Sequence, residues 1–215
     1  MTTWVENPTG GRDRGPRGLA RAWVEVLVRP RRFFTNGVAP GDQAPGLVFA
    51  VAVTLVYLGS RFALDPASVP TFGGRPYVSA LLVLAAAGLI IAPAALHLTA
   101  ALQTILLMIS VRDRAGVSET VQVLAYATAP CALAGLPIPG LRVACAAYGF
   151  VLLIVGMSVV HDVSIARAAL VVAVPGVVVF GYAFGGLFAL ETVTGLELVN
   201  TDPPVASAIL SDRSP

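Results

Sequence analysis

One stretch, residues 118–140 (SETVQVLAYATAPCALAGLPIPG), constrains the fold more than any other. Between Glu119 and Leu136 it carries no further charge, and its 18 residues would reach about 27 Å as a helix, close to the hydrocarbon thickness of a bilayer. It also contains Pro130, which costs about 3 kcal/mol inside a soluble helix. A segment this apolar and this irregular needs other helices around it, because they re-satisfy the backbone groups that proline frees. Ser118 is placed to cap the helix, and Glu119 sits at the favourable end of its dipole. Gln122, Tyr126 and Pro130 recur every four residues as one stripe. Ala127, Cys131 and Gly135 form a second stripe of small side chains, along which another backbone can pack closely. The prolines of LPIPG then end the helix.

Composition agrees. Of 215 residues 56% are hydrophobic and 12% charged, with mean hydropathy +0.81. A soluble domain carries about 25% charged residues, so the chain reads as an integral membrane protein. The first 30 residues hold no apolar run of the kind a cleaved signal peptide needs. Cys131 and Cys145 fall in separate apolar segments and read as small buried hydrophobes.

The expected fold is all-α: a polytopic transmembrane bundle of five spans, preceded by a short amphipathic interfacial helix. Residues 19–28 place Leu19, Trp23, Val26 and Leu27 on one side, with Arg21, Glu25 and Arg29 on or beside the other. Too short to span, this helix is expected to lie flat in the headgroup region. Trp23, Arg29, Arg31, Arg32, Phe33 and Phe34 would anchor it, cations towards anionic lipid and aromatics at the interface. The spans are expected at residues 46–64, 77–111, 119–136, 141–160 and 168–190. The second is one long helix kinked near Gly88 to Pro93, since two crossings would leave no polar loop between them. In the fifth, Gly181 and Gly185 make a GxxxG match, a packing face within the protein or with a second copy. Arg61 can pair with Asp65 or reach the interface. The chain thus divides into an arm (1–45), a five-helix domain (46–191) and an acidic tail (192–215).

Five crossings put the termini on opposite sides. With the amino end cytoplasmic, ten arginines lie inside (Arg12, Arg14, Arg17, Arg21, Arg29, Arg31, Arg32, Arg112, Arg114, Arg167) and four outside (Arg61, Arg75, Arg142, Arg213). The positive-inside rule favours that orientation, in the cell membrane. It also gathers His97, Gln122, His161 and Asp162 towards the cytoplasmic face, a polar cluster that could titrate near neutral pH or hold a headgroup or metal. Adjacent residues on a helix point about 100° apart, which weakens a metal shared by His161 and Asp162. No Asp, Glu or Lys falls near mid-membrane, where ion-coupled transporters keep their relays. GxxxxGK[ST], HExxH, GxSxG and CxxC are all absent, so neither an enzyme nor a cofactor is expected. The basic arm lacks a nucleic-acid fold signature, which leaves anionic lipid as its expected partner.

The segment RDRAGVSETVQVLAYATAPCALAGLPIPG, then a glycine-bearing span, then HDVSIARAALVVAVPG, resembles the Yip1 domain family, most firmly over residues 95–180. WVEVLVRPRRFF followed by a span is similar to prokaryotic members. The resemblance implies five membrane helices with a cytoplasmic amino terminus. Eukaryotic members act in vesicle trafficking with Rab GTPases, but the acidic DLYGP-type segment of that branch is missing here, and no activity carries over from prokaryotic members. The reading is a non-enzymatic membrane scaffold or partner-binding protein, alone or as a homodimer. A small transporter or channel built around kinked helices 2, 3 and 5 is the alternative.

Overall fold

The computed structural model describes residues 15–112 and 114–198; Arg12, Arg14, Asp113 and Arg213 lie outside them, as does most of the acidic tail. Every regular element among the described residues is helical. Helix α1 (Pro16–Val28) and helix α2 (Pro30–Gly37) form the arm, broken at Arg29 because Pro30 has no N–H to continue the first helix. Helix α3 (Ala44–Leu64) follows, then a turn containing Gly73 and Gly74 at positive φ. Helix α4 (Pro76–Ser110) is a single 35-residue run. Helix α5 (Val117–Ala127) passes into a 3₁₀ turn, Ala129–Leu133. Helices α6 (Pro139–Val160), α7 (Ile165–Ala183) and α8 (Gly186–Thr194) complete the bundle. Helices α1 to α4 and α6 carry proline at their first or second position, where its missing N–H would have had no partner anyway.

Helices α3, α4, α6 and α7 are long and apolar enough to cross a bilayer. Two of them contain π-helical turns. In α4 the turn is Ala87–Ile91, immediately before Pro93, and Ala92 N–H reaches back five residues to Ala87 O. A π turn thus stands where the kink was expected, near Gly88 to Pro93, and the wider turn absorbs the proline without breaking the helix. In α7 the π turn is Val177–Ala183, just after Pro175.

The stretch expected as one helical third span is a short helix followed by a 3₁₀ turn, and most of it is enclosed. Every residue from Thr120 to Cys131 is buried. Its helix starts at Val117 with Gly116 at the cap, so Ser118 lies inside the first turn and does not cap it. It leaves α-geometry at Thr128, before Pro130. It runs beside α3 in the same direction. At one end a Cβ on Gly46 would sit 3.1 Å from Gln122 Cα; at the other a Cβ on Gly135 would sit 2.2 Å from Tyr57 O. The eleven residues of α3 from Gly46 to Tyr57 rise about 16 Å. Helix α6 runs the opposite way, with Gly156 against Val123 and Arg142 Nε donating to Ala134 O.

One further expectation changes. The fifth span is not continuous to Leu190: α7 ends at Ala183, Gly185 takes φ +70°, and α8 starts anew. Gly181 and Gly185 therefore share no straight helix face. A Cβ on Gly181 would meet Leu187 of the same chain, and Gly185 is needed for its left-handed backbone. The arm is also held by the bundle. Helix α1 packs on the buried segment itself, with Ala22 and Val26 fully buried.

Candidate functional site

The feature that draws most of the molecule together is the seam between the arm and the buried segment. The chain of the arm descends that segment in reverse order. Leu19 and Ala20 border a cavity with Val56 and Leu133, Trp23 Nε1 donates to Ala129 O at 2.7 Å, and Phe34 rests against Gly156 and Val123. Next comes Ala39, whose N–H donates to Gln122 Oε1 (3.1 Å) while its carbonyl accepts from Gln122 Nε2 (2.7 Å). One side-chain amide thus clamps both backbone groups of the residue that joins arm to α3, satisfying donors and acceptors that would be costly to bury unpaired. Tyr148 OH adds a bond to Leu27 O.

Tyr126 is the centre of the seam. Its ring meets Phe33 at 4.8 Å and Phe49 at 5.1 Å, both edge to face. Such pairs contribute about 0.5–1.5 kcal/mol beyond burial. Phe33 and Phe34, expected at the lipid interface, are each 1% exposed and belong to the protein core. Trp23 likewise turns its indole inward, while Arg29, Arg31 and Arg32 remain exposed.

The expected polar cluster is not assembled. His97 is exposed on α4 and its Nδ1 bonds Pro93 O at 2.7 Å. Gln122 is occupied by Ala39. His161 is buried at the end of α6, with Nε2 3.3 Å from Thr120 Oγ1. Asp162 is exposed at φ 50°, a left-handed position that short polar side chains tolerate and that stops α6. Among the described residues no three His, Cys, Asp or Glu side chains are grouped to hold a metal, and Cys131 and Cys145 are free thiols. Burial pushes the His161 imidazole down to about 4, with the Glu119 carboxylate opposing and the Arg114 guanidinium reinforcing the shift. Arg61, expected to pair with Asp65 or to reach the interface, donates to Tyr57 OH at 3.2 Å. Sequence reasoning passed over Thr120 and Ala39. A threonine one residue into an uncharged run was a signal for the first; a bond to a backbone amide leaves no signal in side-chain identity for the second.

A second feature is a chamber of about 240 Å³ between α3, α4, α5 and α7. Ala87 and Ile91 of one π turn and Val178, Val179 and Ala183 of the other line it. Its lining carries no charged side chain.

Apolar crossing helices around an enclosed, proline-broken segment define a multi-pass membrane protein of helical-bundle class. The model of the Yip1 domain matches residues 24–187, and the chain belongs to the Yip1 domain family. No curated protein and no solved structure matches it.

Proposed function

We propose that this chain is a non-enzymatic scaffold of the cell membrane, whose docked arm holds a row of cations against anionic headgroups and whose outer helices meet another membrane protein or a second copy. The observation that carries this reading is the arm itself. Its aromatic residues are committed to the core, so Arg29, Arg31 and Arg32 are held exposed on a fixed support. A cluster of arginines beside a bilayer attracts anionic lipid, by about 1 kcal/mol for each cation near the surface. The amino end is assigned to the cytoplasm and the carboxyl end to the outside. The arginine distribution supports this, as does a buried segment running parallel to α3 and antiparallel to α6, the pattern of a five-pass chain.

The test is reconstitution into nanodiscs of mixed phosphatidylcholine and phosphatidylglycerol. The wild type should enrich phosphatidylglycerol around itself, and replacing Arg29, Arg31 and Arg32 with glutamine should abolish the enrichment. Equal enrichment by both proteins would sink the reading. A second reading, a small transporter, gains support from the chamber between the kinked helices. Solute leak from liposomes that scales with protein content would favour it over the scaffold.

A further inference from the structure

The chamber has three properties that together specify an occupant. The first is that two π turns form parts of its wall, Ala87–Ile91 in α4 and Val177–Ala183 in α7. π-helical residues make up well under 1% of protein structure and collect at functional sites, so two such turns on one cavity mark it. The second is where it opens. Ile91 and Val178 line the chamber and are also 58% and 42% exposed on the outside of the bundle, on helices apolar enough to cross a bilayer. An occupant would enter sideways from the hydrocarbon.

The third is a pair of hydroxyls. Threonines in this protein generally return a bond to their own helix: Thr104, Thr120, Thr192 and Thr194 each donate to the carbonyl four residues back. Thr54 and Thr99 line the chamber and make no such bond among the described residues, although Thr99 is 8% exposed. Thr54 stands halfway along α3, far from either end. Thr54 is half-buried and Thr99 nearly buried, so both hydroxyls remain able to bond a ligand oxygen. No lining residue is charged, which disfavours an ionised group. An apolar cavity of about 150 Å³ takes up benzene, so by proportion 240 Å³ holds on the order of ten carbon atoms. A longer chain would trail through the mouth into the bilayer.

We propose that the chamber binds an uncharged lipid with one small oxygen-bearing end, a long-chain alcohol or a quinone, whose oxygen bonds Thr54 and Thr99 while its first carbons fill the space between the two π turns. The experiment uses the full chain in phosphatidylcholine liposomes. Three photoactivatable probes are compared: a long-chain alcohol and a quinone, each with a diazirine near the oxygen, and phosphatidylcholine with a diazirine in its acyl chain. The alcohol or the quinone should label peptides containing Thr99 or Phe184 at least fivefold more than the lipid-facing Leu81–Leu82 peptide, and phosphatidylcholine should not. Whichever of the two labels identifies the source. Filling the chamber with Ala95→Leu and Ala183→Leu should remove the chamber labelling and leave Leu81–Leu82 unchanged. The Thr54→Val, Thr99→Val pair, nearly isosteric, should remove the preference over phosphatidylcholine in a protein of unchanged helix content. Labelling that is uniform for all three probes, equal for phosphatidylcholine, or unaffected by the threonine pair would overturn the proposal.

Discussion

Helix α4 and the buried segment Thr120–Cys131 are both uncharged and are built on opposite terms. Helix α4 turns Leu81, Leu82, Leu89, Ile90, Leu98 and Ile109 outward. On that outward face it has only hydrocarbon, which cannot take up a lost hydrogen bond. It therefore stays helical through Pro93 by widening one turn. The buried segment abandons α-geometry at Thr128, and it can do so because protein surrounds it. The Ala129 carbonyl, close to the break, receives the Trp23 indole N–H. Regular backbone is compulsory against lipid and optional against protein.

That contrast can be broken at several points. The largest effect should come from Tyr126→Ala set beside Leu89→Ala. The first empties the core between Phe33 and Phe49 and should cost about 3–5 kcal/mol, while the second exchanges lipid contact for lipid contact and should cost under about 0.5 kcal/mol. Chemical unfolding in detergent micelles measures both, and equal losses would erase the distinction.

Next in size is the pH response of the segment's end. His161 is held neutral, its pKa lowered from 6.5 to about 4. The unfolded chain binds the proton first as pH falls. Stability present above pH 6.5 should then decline towards pH 4 by on the order of 3 kcal/mol and level off below it. His161→Gln should flatten that slope in a thermal-shift titration; an unchanged slope would assign it to other groups.

The smaller effect is Gln122→Leu, which keeps the volume and removes both bonds to Ala39. Leaving those backbone groups unpaired should cost about 1–3 kcal/mol. The loss should appear as faster proteolysis within α1 and α2 while the α4 peptides stay protected.

Much of this was legible beforehand. The bundle, the single long second helix and the irregular turn before Pro93 follow from apolar run lengths and from proline, since lipid permits few alternatives. The first and fourth spans were placed within two residues of Ala44–Leu64 and Pro139–Val160. The site was less legible. The dyad of WVEVLV and RPRRFF reads as an interfacial anchor because amphipathicity identifies an apolar face without naming what covers it. Phe34 finds Gly156, 122 residues further on, and no local pattern joins them. The same holds for Phe150 against Gly176 and Phe180 against Gly149, an exchange of rings for missing side chains between α6 and α7.

What the sequence alone determined is the solvent: runs of uncharged residues too long for a soluble core, with arginine confined to their ends, commit this chain to a bilayer and to helices. Only the tertiary structure decided which of those helices meets lipid and which meets protein. Both surroundings are apolar, so transfer free energy cannot tell them apart. Close packing against particular partners can, and those partners are distant in the chain.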